Sequence, residues 1–76
     1  MPRKLPIISG KEIIKALSKV GYAFDHQRGS HIVLRRANPP HRRIAVPNYD
    51  EIPRGTLRAI ISEAGLTDYQ FLDLLD

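Results

Sequence analysis

Histidine and arginine, the side chains suited to proton transfer and to phosphate binding, cluster in the middle of the chain. His31 lies within residues 27–43, a segment with five arginines and no acidic residue. Histidine exchanges protons near neutral pH, and arginine binds phosphate through two parallel N–H donors. RNA cleavage by its own 2′-hydroxyl requires a proton acceptor, a proton donor and cations that stabilise the added charge. His31 is therefore the candidate catalytic residue, with Arg28, Arg35 and Arg43 as candidate phosphate ligands.

The overall charge favours the same class of partner. The chain has 12 lysines and arginines against 8 aspartates and glutamates, a formal net charge of +4. Basic domains bind nucleic acid because neutralising phosphates releases condensed counterions. The last ten residues, 67–76, contain three aspartates and no base. This asymmetry suggests one face for nucleic acid and another for a different partner.

Other chemistries find little support in the sequence. The chain has no cysteine, which excludes disulfides, thiolate catalysis and cysteine-bound zinc and fits a reducing, cytoplasmic location. The acidic residues are too scattered for a magnesium site, and the three histidines lack zinc-ligand spacing. No apolar run is long enough to cross a bilayer. We expect no cofactor, no metal and no membrane association.

The pattern of apolar residues predicts one α+β domain over residues 1–76, with residues 1–8 as an extended arm. Ser9 and Glu12 form a capping box that begins a helix, which ends at Gly21. Three antiparallel strands follow, and then a second helix and a short third helix. The strands are predicted at residues 22–26, 30–36 and 42–46, the second helix ends at Gly65, and Thr67 with Gln70 caps the third helix.

Alternation along the strands predicts which side chains face the helices. Helices with one apolar stripe pack on one face of a three-stranded sheet and leave the other face open. The predicted inward residues are Tyr22, Phe24, Ile32, Leu34, Ile44 and Val46. His31, Arg35 and Arg43 are then predicted on the open face.

The first hairpin loop decides what lies opposite His31. A three-residue loop over residues 27–29 places glycine at the left-handed position that such loops need. This register keeps Phe24 in the core and sets Asp25 across from His31, about 5 Å away between Cβ atoms, where a carboxylate would orient the imidazole. A two-residue turn at residues 28–29 would instead place Phe24 beside His31. We favour the longer loop because it buries an aromatic ring.

Several motifs in a fixed order resemble the HicA family of toxins. Gly29-Ser30-His31 is similar to the signature of that family. The same order continues with Ile44–Pro47, similar to the family's third strand, residues 52–61, similar to its second helix, and Ala64-Gly65-Leu66-Thr67 followed by Phe71.

The resemblance implies a double-stranded-RNA-binding-domain-like fold and a ribonuclease toxin that cleaves messenger RNA. It also implies a HicB-type antitoxin protein that binds and blocks the toxin. Carried over by position, the family's catalytic histidine is His31, Gly29 permits the turn that presents it, and Ser30 flanks it and contacts phosphate. Many members carry a histidine shortly after Val-Pro, where this chain has Tyr49.

Two other functions compete with RNA cleavage. A non-catalytic RNA- or DNA-binding module could use the same basic face, and would bind without cutting. An adaptor could bind protein through its acidic end and through exposed parts of Phe71, Leu72, Leu74 and Leu75. Cleavage by purified protein separates the first alternative from a nuclease. Charge reversal at Arg35 and Arg43 would weaken RNA binding without weakening a protein contact made by the acidic end.

Overall fold

The computed structural model describes residues 4–75 and has the predicted α+β layout, with three helices and three strands in this range. The elements are α1 (Gly10–Ser18), β1 (Tyr22–Arg28), β2 (His31–Arg36), β3 (Arg43–Pro47), α2 (Arg54–Glu63) and α3 (Asp68–Leu74). The strands form one antiparallel sheet in the order β1-β2-β3. Residues 1–3 of the predicted arm lie outside the described residues. None of the helices within residues 4–75 has the length and apolar character needed to cross a membrane.

Local sequence signals fix the ends of the helices. The Ser9 side chain accepts from the Glu12 backbone N–H while the Glu12 carboxylate accepts from Ser9, which confirms the predicted capping box. Thr67 and Gln70 form the same reciprocal pair at α3. Gly65 follows α2 with a φ of 78°, in the left-handed region that glycine adopts without strain.

The hydrophobic core lies between one face of the sheet and the helices. Helix α1 packs against β1 and β3, α2 packs against β3, and α3 contacts both other helices. The inward prediction is confirmed for Tyr22, Leu34, Ile44 and Val46, which are all buried, and half-buried Ile32 packs against them. The helices contribute the buried side chains of Ile13, Leu17, Leu57, Ile61 and Phe71.

The end of the chain is mostly built into this core. Phe71 and Leu72 are buried, and Leu74 and Leu75 are half-buried against the core cluster. Of the four apolar side chains considered for an adaptor surface, Leu74 and Leu75 keep exposed area, whereas Phe71 and Leu72 do not.

Helix α1 begins in direct contact with the chain that leaves β3. Gly10 is buried, its N–H donates to the Tyr49 carbonyl at 2.9 Å, and a Cβ at Gly10 would collide with the Pro47 carbonyl oxygen. The Ile52 N–H donates to the Ile8 carbonyl at 2.8 Å. The segment after β3 is thus fixed against the start of α1.

Replacing Gly10 with alanine is expected to destabilise the protein by about 1–3 kcal/mol, because backbone must move to admit the methyl group. Urea denaturation followed by circular dichroism measures this loss. Gly55→Ala is the matched control, since Gly55 lies in α2 and a Cβ there meets nothing within 4 Å. We expect Gly55→Ala to hold stability or raise it by up to about 1 kcal/mol. Equal stability of the Gly10→Ala variant and the wild type would contradict the close approach of α1 to β3.

Candidate active site on the open face of the sheet

His31 is the first residue of β2 and follows a two-residue turn made by Gly29 and Ser30. Gly29 has a φ of 59°, a backbone conformation that favours glycine. The side chain of His31 is exposed, and its cross-strand partners are Arg28 on β1 and Pro47 on β3. The turn therefore presents an imidazole to solvent with a guanidinium group directly opposite.

The predicted three-residue hairpin loop is wrong. Strand β1 continues in the ladder to Arg28, and the extra residue is taken up by a β-bulge between Phe24 and His26. Asp25 is consequently not opposite His31, and the predicted pairing of these two side chains is absent from the register. Beyond the bulge the ladder continues with three regular pairs, His26 with Val33, Gln27 with Ile32 and Arg28 with His31.

The bulge brings Asp25 and His26 into contact. Adjacent side chains of a regular strand face opposite sides, and a bulge breaks that alternation. The His26 Nδ1 atom lies 2.8 Å from the Asp25 Oδ2 atom. This hydrogen bond, with smaller contributions from Arg43 and Arg35, lowers the pKa of the Asp25 carboxyl group below its usual value. An ionised carboxylate only accepts hydrogen bonds, so His26 holds a proton on Nδ1.

Arg35 and Arg43 are direct cross-strand partners, and both are exposed. Like charges directly opposite each other destabilise a sheet. Among residues 4–75 neither guanidinium group has a carboxylate within salt-bridge distance, and Asp25 acts on both only from further away. Arg35 lies four positions along β2 from His31, about 13 Å at the usual strand rise. An extended anion along this face would relieve the repulsion between the two arginines.

The remaining two arginines of the basic segment contact residues on the helical side of the sheet. The Arg42 guanidinium donates to the Glu63 carbonyl at the end of α2, at 3.2 Å. Arg36 is half-buried and pairs across the sheet with buried Tyr22. The open face therefore has Arg28, Arg35 and Arg43; the sequence placed Arg35 and Arg43 there and Arg28 in the adjacent hairpin loop.

Ser30 and Tyr49 form the edge of the site next to His31. Their hydroxyl oxygens are 3.4 Å apart, and the Asn48 N–H donates to the Ser30 carbonyl at 2.7 Å. Tyr49 is 51% exposed, so its side chain is accessible beside this turn. The position noted in the sequence as a departure from the resembling family is thus adjacent to the turn that presents His31.

The predicted position of the Phe24 side chain is wrong. The sequence predicted it in the core, but its side chain is 64% exposed although its cross-strand partner, Leu34, is buried. The ring lines a shallow groove of about 260 Å³ together with Arg35 and Arg36. Residues 4–75 contain no group of three or more histidine, cysteine or acidic side chains arranged to hold a metal ion.

The sequence did not single out His26 for a role. The only signal for its contact was its position next to Asp25, and that signal has no meaning until the bulge is known.

Comparison with known proteins identifies a matching family. The family model of the HicA toxin of bacterial toxin–antitoxin systems matches residues 10–66, more than half of the chain. The matched range includes the hairpin, the three arginines of the open face and Tyr49. No curated protein matched the chain.

The contact between Asp25 and His26 predicts a pH effect with a definite sign. The pKa of Asp25 is lowered in the folded protein, so its contribution to stability is present above the unfolded pKa and is lost as the pH falls through the folded pKa. Titration of carboxyl resonances by NMR is expected to show the Asp25 pKa below 3.8 in the wild type and closer to that value in His26→Ala. His41→Ala is the control and should leave the Asp25 titration unchanged. An Asp25 pKa that does not respond to His26→Ala would contradict the contact.

Proposed function

The chain belongs to the HicA family of bacterial toxins and is thus the toxin of a toxin–antitoxin pair; from this premise we propose that it is a metal-independent endoribonuclease that cleaves messenger RNA. His31 acts in general acid–base catalysis. The observation that carries the proposal is the exposed imidazole of His31 directly opposite Arg28, on a sheet face that continues to Arg35 and Arg43.

The chemistry needs only groups that this face provides. The 2′-hydroxyl of a ribose attacks the adjacent phosphorus after its proton is removed, and His31 can accept that proton. Arg28 is the nearest cation to the added negative charge, and arginine donors stabilise such charge in place of water. Ser30 offers a hydroxyl to a phosphate oxygen. DNA lacks the 2′-hydroxyl and should bind without being cut.

The shape of the site favours a polymer over a small molecule. His31, Arg35 and Arg43 lie exposed along two strands rather than inside an enclosed pocket, and small-molecule sites are usually concave and apolar. Positive groups spaced along an open sheet match a chain of phosphates. RNA stretched across β2 and β3 can therefore bind at several points while one phosphate lies beside His31.

The antitoxin partner has a simple way to inhibit such a site. We propose that it is a HicB-type protein that covers His31 and the neighbouring arginines, so that RNA cannot reach the imidazole. Messenger RNA as the substrate also places the action of the toxin in the cytoplasm.

Substitution of His31 by alanine is expected to abolish cleavage of RNA and to leave RNA affinity almost unchanged. Purified wild type and His31→Ala are incubated with a mixed-sequence RNA in excess EDTA, and the product ends are analysed. We expect wild-type cleavage in EDTA and 2′,3′-cyclic phosphate ends, because the nucleophile is the RNA's own 2′-hydroxyl. His41→Ala is the matched control, since His41 lies in the loop between β2 and β3.

Two results would reject this mechanism. Undiminished cleavage by His31→Ala would show that another residue performs the chemistry. Binding of RNA by the wild type with no cleavage under any condition would favour the non-catalytic nucleic-acid-binding module that the same arginines support.

Arg43→Gln is expected to weaken RNA binding in a salt-dependent way and to stabilise the fold slightly. Loss of one phosphate contact lowers the slope of log affinity against log salt by about 0.7 for single-stranded RNA. Removal of the Arg43 charge, which lies opposite Arg35, should raise stability by about 0.2–1 kcal/mol. Both quantities are measured in the His31→Ala background, by fluorescence anisotropy and by urea denaturation.

The control is Arg58→Gln, which removes an equal charge from α2, where Arg58 pairs with Asp68 at 3.5 Å. It should leave the salt slope unchanged. An equal change of slope in both variants would mean that RNA responds to net charge and not to the open face.

A further inference from the structure

Cleavage by internal attack needs a second proton-transfer group, and we propose that His26 is this group. In this assignment His26 donates a proton to the departing 5′-oxygen while His31 accepts the proton of the 2′-hydroxyl. The inference rests on the proposed ribonuclease function and adds a catalytic residue to it.

The register places the two imidazoles on the same face of the sheet. His26 pairs with Val33, and Arg28 pairs with His31, in the regular part of the ladder that follows the bulge. His26 and His31 are therefore diagonal cross-strand neighbours, a relation that places Cα atoms about 7–8 Å apart and Cβ atoms somewhat closer. In the reaction, the attacking and leaving oxygens lie on opposite sides of the phosphorus. A spacing of this size leaves room for one phosphate between the two rings, with Arg28 beside it.

Asp25 holds the ring of His26 in one orientation. The bond from His26 Nδ1 to Asp25 Oδ2 is 2.8 Å long, and the His26 side chain is 51% exposed. With Nδ1 occupied, only Nε2 can exchange a proton with a substrate. A carboxylate that fixes the tautomer and the direction of an imidazole is a recurring partner of catalytic histidines. Asp25, predicted from the sequence to orient His31, orients His26 in the structure.

The third histidine does not offer the same geometry. His41 lies in the loop that follows the opposite end of β2, and its Nδ1 atom is 3.2 Å from the Arg36 carbonyl oxygen. The distance along β2 from His31 to Arg36 alone is about 16 Å at the usual strand rise. One phosphate cannot contact both His41 and His31.

The proposed step balances without any other reactant. His31 accepts the proton from the 2′-hydroxyl, and the 2′-oxygen forms a bond to phosphorus. The bond between phosphorus and the 5′-oxygen breaks, and the Nε2 proton of His26 moves to that oxygen. The products are a 2′,3′-cyclic phosphate and a 5′-hydroxyl, and exchange with water restores the two histidines.

A substrate with a sulfur leaving group tests this assignment directly. The oxygen at the 5′ position of the mapped cleavage site is replaced by sulfur, which departs without being protonated. On ordinary RNA, His26→Ala should slow cleavage by about 100-fold or more, the usual size of a general-acid contribution. On the sulfur-containing RNA, His26→Ala should cleave within about tenfold of the wild type, since the protonation step is no longer needed. His31→Ala should be defective on both substrates.

Two further variants separate catalysis from folding. His26→Gln retains a side-chain donor for Asp25 without proton exchange, and should behave as His26→Ala does. Asp25→Asn removes the orienting carboxylate, and should lose activity on ordinary RNA and much less on the sulfur substrate. A merely structural role would lower cleavage of both substrates equally. His41→Ala is again the matched histidine control and should cleave both RNAs at the wild-type rate.

These measurements distinguish failure of the role of His26 from failure of the ribonuclease proposal. If the wild type does not cleave RNA, or if His31→Ala still cleaves it, the ribonuclease proposal fails and the role of His26 fails with it. If the wild type cleaves, His31→Ala does not, and His26→Ala is equally impaired on both substrates or impaired on neither, the role of His26 alone is rejected.

Discussion

The β-bulge between Phe24 and His26 is the constraint on which the candidate site depends. Before the bulge, even-numbered residues of β1 lie on the helical side, and Tyr22 is buried there. After it, the even-numbered residues His26 and Arg28 share the open face with Val33 and His31. A regular strand that buried Tyr22 would turn His26 and Arg28 to the helical side of the sheet, away from His31. One extra residue thus allows a single strand to contribute to the core at one end and to the site at the other.

Two like charges on the open face lower the stability of the free protein. Direct opposition of Arg35 and Arg43 is unfavourable in the free protein, and Asp25, itself bonded to His26, offsets it only from a distance. A sheet selected for stability alone would place opposite charges or β-branched residues at these positions. The core on the other face, which includes Leu34 and Phe71, is apolar. The free energy gained by burying it compensates for this repulsion. Under the proposed function, the two faces of the sheet have separate roles, stability on the helical side and RNA binding on the open side.

The sequence predicted the framework well because its signals are local. Capping residues, such as Ser9 with Glu12, and apolar periodicity fixed the helices and the inward residues of β2 and β3. The same alternation placed His31, Arg35 and Arg43 on the exposed side, where the structure also has them. The hairpin was mispredicted because an extra residue can be absorbed in a loop or in a bulge, and neither Asp25 nor its neighbours distinguish the two. That error carried over to His26, whose surroundings depend on strand pairing and not on local sequence. Phe24 does lie opposite an inward residue, Leu34, but on an edge strand where the helices leave its side chain exposed.

The segment that follows β3 has a consequence for motion. Its backbone is bonded to Ser30 through Asn48, to Gly10 through Tyr49, and to Ile8 through Ile52. Breaking these bonds would loosen the start of α1 and the turn before His31 together, so we expect the segment to open as one cooperative unit with them. The amide hydrogens of Gly10, Asn48 and Ile52 would then exchange with solvent through a common opening. In the proposed complex with RNA, a site held in this way would adapt little, and the adjustment of shape on binding would fall to the RNA.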